Sequence, residues 1–315
     1  MSRRKFIKQT LFSGIGLASL NLFPLSSFAF KKKTHTKITI LHTNDVHSHI
    51  DPFPDNDPKY PGLGGAARRA SLINSIRNKE EHVLLLDAGD VFQGTPYFNL
   101  YEGEIDFKLM SFMQYDAATI GNHDFDNGID GLDKMLPHAK FPFINANYDF
   151  TNTILKEKVK PFHIFTKDNI KIGVFGIGVE LDGLVDKKLY KETKYNDPVI
   201  TTTKIVNILK KEEDCDLIVC LSHLGYEYKS DKISDLKLAA QTKNIDLIIG
   251  GHTHTFLDKP TRIRNLSNKE TLITQVGWAG INLGRLDFYV QIDKNYSVSF
   301  QNLTIESKKI KKNNS

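Results

Sequence analysis

Residues 245–254 read Ile-Asp-Leu-Ile-Ile-Gly-Gly-His-Thr-His, an apolar run of strand length that ends in glycines and then in two imidazoles. The same habit recurs upstream. Residues 38–41 (Ile-Thr-Ile-Leu) lead to Asn44-Asp45-Val46-His47-Ser48-His49, and residues 83–87 (Val-Leu-Leu-Leu-Asp) lead to Gly89-Asp90. Residues 117–120 lead to Gly121-Asn122-His123-Asp124-Phe125-Asp126, and residues 216–221 lead to Ser222-His223. Short apolar runs bounded in this way read as buried strands. Segments with helical spacing lie between them, at residues 64–77, 105–114, 129–136, 202–211 and 234–241. Such alternation predicts an α/β fold. In open α/β sheets the carboxyl ends of the strands are where sites form, so these five loops are expected to converge.

The side chains delivered to that edge are carboxylates, imidazoles and one amide, with no thiolate. This donor set suits divalent Mn, Zn, Fe or Co. Asp45 and His47 are two residues apart, as are His252 and His254, so an extended chain would point each pair to one side. One such cluster carries little information, because a lone D-x-H is usually a turn. Five in this order, each at a strand end, predict a dinuclear metal site. His42, Asn44 and His49 read as residues that orient ligands. Asp87 reads as a strand-end turn, Arg68 and Arg69 as salt-bridge formers on their helix. Trp278 is placed on a loop, either in the core or at the site mouth. From residue 272 onward the pattern is strand only (272–276, 286–292 and 297–305), which suggests a second sheet within one domain.

Together the D-x-H, G-D, G-N-H-D, later His and G-H-T-H motifs resemble the signature of calcineurin-like metallophosphoesterases. The fuller stretches I-L-H-T-N-D-V-H-S-H, L-L-L-D-A-G-D-V-F-Q-G-T-P, I-G-N-H-D-F-D-N-G and I-I-G-G-H-T-H resemble the catalytic domain of the 5'-nucleotidase family over about residues 38–305. The resemblance implies a four-layer α/β/β/α sandwich of two mixed sheets. It implies that Asp45, His47 and His254 hold one divalent metal ion, that Asn122, His223 and His252 hold a second, and that Asp90 bridges them. It further implies a catalytic pair, His123 and Asp126, acting on a phosphate ester or nucleotide. In that family a further C-terminal domain grips the substrate. Such a domain is expected to be missing from this chain and could be supplied by a separate polypeptide; cyclic-phosphodiester or sulfur-ester hydrolysis are further options within the superfamily.

Residues 2–8 (Ser-Arg-Arg-Lys-Phe-Ile-Lys) precede an uncharged, mostly apolar run at 11–23 and the small residues of Ser27-Phe28-Ala29. This is the layout of a secretory signal, and Arg3-Arg4 resembles the twin-arginine kind. Residues 1–29 are therefore expected to direct export to the periplasm, residues 30–306 to form the catalytic domain, and residues 307–315 to be a basic tail. The apolar run is shorter than the ~20 residues a membrane span requires. Over all 315 residues the chain is 40% hydrophobic and 25% charged, with a formal net charge of +5. Removing residues 1–29 takes away Arg3, Arg4, Lys5 and Lys8 and no acidic group, so the mature chain is near neutral. Nothing in that balance supports stable nucleic-acid binding. Cys215 and Cys220 read as apolar fillers and not as a disulfide.

Overall fold

The structure, a computed structural model, describes residues 35–307. The proposed signal and the lysines of the basic tail lie outside the described residues. In chain order the strands are β1 (His35–Thr43), β2 (Val83–Asp87), β3 (Ala117–Ala118), β4 (Tyr148–Asp149), β5 (Phe162–Lys167), β6 (Ile170–Ile177), β7 (Lys194–Tyr195), β8 (Leu217–Ser222), β9 (Leu247–Gly250), β10 (Thr261–Arg264), β11 (Glu270–Thr274), β12 (Asn282–Gln291) and β13 (Tyr296–Thr304). The helices are α1 (Ala66–Arg77), α2 (Pro96–Tyr101), α3 (Glu104–Phe112), α4 (Gly128–Met135), α5 (Lys187–Tyr190), α6 (Pro198–Lys211) and α7 (Asp235–Gln241).

Two mixed sheets carry the fold, ordered β13-β12-β1-β2-β3 and β10-β11-β9-β8-β6-β5. Side-chain alternation along their strands makes three separate cores. On β8, Leu217, Val219 and Leu221 join Ile38, Ile40, Leu84 and Phe288 of the first sheet in a core between the sheets. The intervening Ile218 and Cys220 face α6 and α7, where Ile205, Leu209 and Leu238 pack. On the far side of the first sheet, Leu41 and Leu85 meet Ile73 of α1, Phe107 of α3 and Leu132 of α4. Helix, sheet, sheet, helix is the four-layer sandwich expected. β8 is buried along its whole length because it serves two cores at once.

Several expectations need correction. The late strands do not form a sheet of their own. β11 pairs parallel with β9, whereas β12 returns to pair antiparallel with β1. The strand at 117–120 shrinks to Ala117–Ala118; beyond it the Thr119 N–H still reaches the Asp87 carbonyl at 3.0 Å while the Thr119 hydroxyl donates to the carbonyl of Ile144. β5 and β10 went unread: both are edge strands with alternating half-exposed residues. The strand near the cysteines begins at Leu217, so Cys215 precedes it, and both free thiols lie in the same helix-facing core. No helix among the described residues is long and apolar enough to cross a membrane.

The β1–β12 ladder carries a charged cluster. Thr39 lies opposite Asp287 and donates to it at 2.7 Å, Arg285 donates to Asp287 at 2.9 Å, and Lys37 sits 3.2 Å from the same carboxylate. Burial disfavours the charged form of Asp287, yet the hydrogen bonds from Arg285 and Thr39 outweigh it and hold the carboxyl below its usual value. A carboxyl depressed by folding stabilises above its unfolded pKa and loses that contribution as pH falls. Asp287→Asn is expected to cost about 1–3 kcal/mol at neutral pH. Urea melts should show that gap closing as pH drops below about 4; a gap independent of pH would refute the charge assignment.

Candidate metal centre

The carboxyl ends of β1, β2 and β3 in the first sheet and of β8 and β9 in the second meet at one edge. β1 delivers Asp45 and His47, β2 delivers Asp90, and β3 delivers Asn122 and His123. The second sheet delivers His223 after β8, and His252 and His254 after β9. Two groups of donors result, Asp45–His47–His254 and Asp90–His223–His252, with the ligand atoms of each group lying within 4.8 Å of one another. In the first group the Nε2 atoms of His47 and His254 are 3.0 Å apart, and Asp45 Oδ1 is 3.5 Å from His254 Nε2. In the second, His223 Nε2 lies 3.0 Å from Asp90 Oδ2, and His252 Nδ1 lies 2.8 Å from Asn122 Oδ1. Asp90 Oδ2 is also 3.8 Å from His47 Nε2, so one carboxylate faces both groups.

The chain does not reach this arrangement by being extended. Asp45, His47, Asp90, His252 and His254 all have φ between 49° and 71°. These are left-handed turns, and it is the turn that aims each side chain. Asp45 and His47 do share a group as expected, but His252 and His254 diverge into different ones. Non-glycine residues in this region store strain, which persists only where surroundings over-determine it. The over-determination is visible here. Asp124 accepts the backbone N–H of Asp90 (3.2 Å), Val91 (3.0 Å), Phe92 (3.2 Å) and Gly121 (2.8 Å), tying two ligand loops together. Any Cβ on Gly121 would overlap Asp90, so that position must be glycine for the loops to touch.

Tautomers are set from behind. His223 Nδ1 is 2.7 Å from the carbonyl of Ala88, and His47 Nδ1 is 3.1 Å from that of Phe92. Each Nδ1 faces a carbonyl and must carry a proton, which leaves Nε2 as the ring atom aimed into the cluster. His223 Nε2 is fully buried and lies 3.0 Å from Asp90 Oδ2, yet without the geometry of a formed hydrogen bond. Burial opposes charging of His223, but the carboxylates of Asp90 and Asp45 prevail and raise it to about 10. Negative charge therefore exceeds positive charge at this point, and unshared donors converge on it. Burial lowers His252 to about 4 and also lowers His47, which keeps both rings neutral. The residues fit a pair of divalent cations: borderline nitrogen and hard oxygen donors, an orphaned imidazole nitrogen and a shared carboxylate.

At the rim, His123 Nδ1 lies 2.9 Å from Asp126 Oδ2. That hydrogen bond, ahead of the opposing effect of burial, raises the pKa of His123. The backbone N–H of His123 donates to Asp90 Oδ1 at 2.8 Å.

The neighbours divide. Asn44 orients Asp45 as expected, donating to it at 2.6 Å and receiving the Val276 N–H at 3.0 Å. Asp87 holds its turn through Thr43 and Gly89. His42 instead sits between the sheets against Gly284, 3.4 Å from the Thr274 hydroxyl. Arg68 donates to the carbonyl of Gly62, and Arg69 is buried beside a small internal cavity that Asp106 also lines. Trp278 does reach the site, stacked parallel to His254 with centroids 5.5 Å apart. Gln275 was not anticipated. It donates to the Gly251 carbonyl at 2.6 Å and accepts from the Thr253 hydroxyl at 3.1 Å, bracing the His252–His254 turn. A polar residue one position beyond a strand carries no signature that would have flagged it.

An α/β/β/α sandwich with a two-cation donor set where its sheets meet defines a narrow class of protein. Residues 38–256 match the family model for calcineurin-like phosphoesterases, and the chain belongs to that family. It is 35% identical over 282 residues to the trifunctional nucleotide phosphoesterase protein YfkN of Bacillus subtilis, an alignment covering 79% of this chain and 18% of that protein. It is 38% identical over 229 residues to the snake venom 5'-nucleotidase of Crotalus adamanteus, covering 70% of this chain and 37% of the relative. The solved 5'-nucleotidase precursor from Thermus thermophilus superposes with a TM-score of 0.78 at 30% identity, over 85% of this chain and 54% of that one. The chain thus spans well under half of either curated relative.

Removing the Asp124 carboxylate should loosen the centre without removing a ligand. Asp124→Ala is expected to lower stability by about 1–3 kcal/mol and to weaken Mn²⁺ or Zn²⁺ uptake in a calorimetric titration, with Asp124→Asn milder. Unchanged metal uptake in Asp124→Ala would mean that the loops hold their geometry unaided.

Proposed function

We propose that this chain is a metal-dependent phosphoesterase acting on 5'-nucleotides or related nucleotide phosphates. The observation that carries the reading is the single carboxylate of Asp90 facing two donor groups, with the His123–Asp126 pair at their rim. Asp45, His47 and His254 would hold one divalent cation, and Asn122, His223 and His252 the other, with Asp90 shared. Mn, Zn, Fe and Co all suit these donors. When bound, such a pair of cations supplies positive charge to the phosphoryl oxygens and a more acidic water at neutral pH.

The chain's own residues supply the rest. Asp126 fixes the His123 ring through Nδ1, which leaves Nε2 as the nitrogen free to meet substrate. From the rim it donates a hydrogen bond to the oxygen on which charge accumulates as the ester bond breaks. Asn122 is a neutral donor, which limits negative charge where an anion must approach. Relatives that bear nucleotide-phosphoesterase names support the substrate class.

The test uses the chain stripped of metal by a chelator and then given Mn²⁺ or Zn²⁺. Phosphate release is followed from 5'-AMP, a UDP-sugar, a 2',3'-cyclic nucleotide and bis-(p-nitrophenyl) phosphate. Metal-restored release from 5'-AMP is expected, lost in Asn122→Ala. His123→Ala should lower kcat by about 10²–10⁴-fold while still binding two metal equivalents. Turnover of the activated diester alone would move substrate recognition to a separate specificity chain. No turnover with two metals bound would sink the enzyme reading.

We also propose that residues 1–29 are a twin-arginine export signal and residues 30–306 the exported catalytic domain. The paired Arg3-Arg4 ahead of an uncharged apolar run supports this. Changing both arginines to lysine should leave the protein in the cytoplasm; undiminished export of that variant would refute the route.

A further inference from the structure

The loop at residues 51–63 contains Pro52, Pro54, Pro58 and Pro61 and is folded on itself. Phe53 N–H donates to the Leu63 carbonyl at 2.8 Å, and Asp57 accepts the Tyr60 N–H at 2.6 Å. Prolines and internal hydrogen bonds make a stiff loop, and this one presents aromatic rings towards the metal centre. Tyr60 lies 6.2 Å from Trp278 and 6.0 Å from Phe256, and Phe53 lies 5.9 Å from Trp278. Trp278 in turn is offset-stacked on His254, a member of the first donor group. A row of rings therefore leads outward from the centre. It is not a closed core: Phe256 is 39% exposed, and Phe53, Tyr60 and Trp278 are each part-exposed. A cleft of about 590 Å³, mostly apolar, opens between Phe53 and His49 on one side and Tyr97 and Leu100 of α2 on the other, so that of the four rings Phe53 alone lines it. That is the size and character of a small-molecule pocket.

Partly exposed aromatic faces on a rigid frame next to a polar reaction centre suit a planar, weakly polar group tethered to an anion. Stacking on such faces is tolerant of which base is offered, because every base has a π-face. We propose that Trp278, Tyr60, Phe53 and Phe256 form a platform for the planar base of a nucleotide substrate, and that the loop at residues 51–63 sets specificity from within this chain. This deepens the phosphoesterase reading and rests on it for the position of the phosphate.

Trp278 is the only tryptophan of the chain, so its emission reports on the platform directly. The metal-loaded chain is titrated with adenosine, which has no phosphate to lose, and with ribose as control. Saturable quenching or shift by adenosine and not by ribose is expected, with the apparent affinity weakened roughly 5- to 150-fold in Tyr60→Ala or Phe256→Ala. In parallel, the ratio of kcat/KM for 5'-AMP over ribose 5-phosphate is compared between the natural chain and Trp278→Leu. A drop in that ratio by the same order supports the platform. A purely structural role for Trp278 lowers both substrates together and leaves the ratio unmoved, which would overturn the proposal, as would indifference of the emission to adenosine. Phosphate release intact but no adenosine response rejects the platform alone. Adenosine response without phosphate release from any ester rejects the phosphoesterase reading and leaves base binding in place.

Discussion

The carboxylate of Asp45, at the end of the first sheet, accepts the backbone N–H of His252 at the end of the second, at 2.9 and 3.1 Å from its two oxygens. Much of the site depends on this seam. The same junction carries the Ala279 N–H to the Asp45 carbonyl at 2.7 Å and the Asn44 amide to the Gly277 carbonyl at 2.6 Å. Donors from one sheet are useless as a centre unless the other sheet stands at the right distance. The apolar core between β1, β2 and β12 on one side and β6, β8 and β9 on the other sets that distance. Close packing there leaves little freedom to slide, since interiors are packed as densely as organic crystals. Core residues far from the chemistry thus control it through the spacing of the two edges.

Against that rigid background, left-handed turns at the ligand residues are tolerable. Each non-glycine residue in that conformation costs on the order of 1–3 kcal/mol, and five candidate ligands adopt it. The return is aim: a turn can direct consecutive side chains to different points, as it does with His252 and His254. Asp124 and Gln275 hold the turns by collecting backbone donors and by capping a carbonyl. Neither reaches the cluster, yet each fixes residues that do. The strain is local and the stabilisation is spread over three cores, which is how a folded domain can keep an unfavourable backbone at its site.

Much of this was legible in the sequence, for a physical reason. Metal donors must be particular residue types, and strands that end in them carry an apolar run immediately before, so D-V-H, G-N-H-D and G-H-T-H announce both element and chemistry. The four layers were legible only through family resemblance. Periodicity says that residues 286–292 and 297–305 are strands but not that β12 crosses back to β1, because pairing partners depend on the whole chain. β5 and β10 were missed because edge strands bury only alternate residues and look like loops. The left-handed turns were invisible too. Asp, His and Asn tolerate positive φ without requiring it, so the residue name does not reveal the backbone.

Recognition is harder to read than catalysis for a related reason. A phosphate held by cations demands one donor set, whereas a planar base can rest on any suitably placed ring. Phe53, Tyr60, Phe256 and Trp278 lie far apart along the chain at their extremes and share no motif; only the folded loop brings them together. What distinguishes them from core aromatics is not identity but unfinished burial. Phe107 and Phe125 are fully buried on the helix side of the first sheet. The rings near His254 stop short of that, although several of them are in mutual contact and further folding of the loop over them would bury more apolar surface. The surface left open lies beside the metal centre, where a ligand's ring would complete the packing that the chain leaves undone.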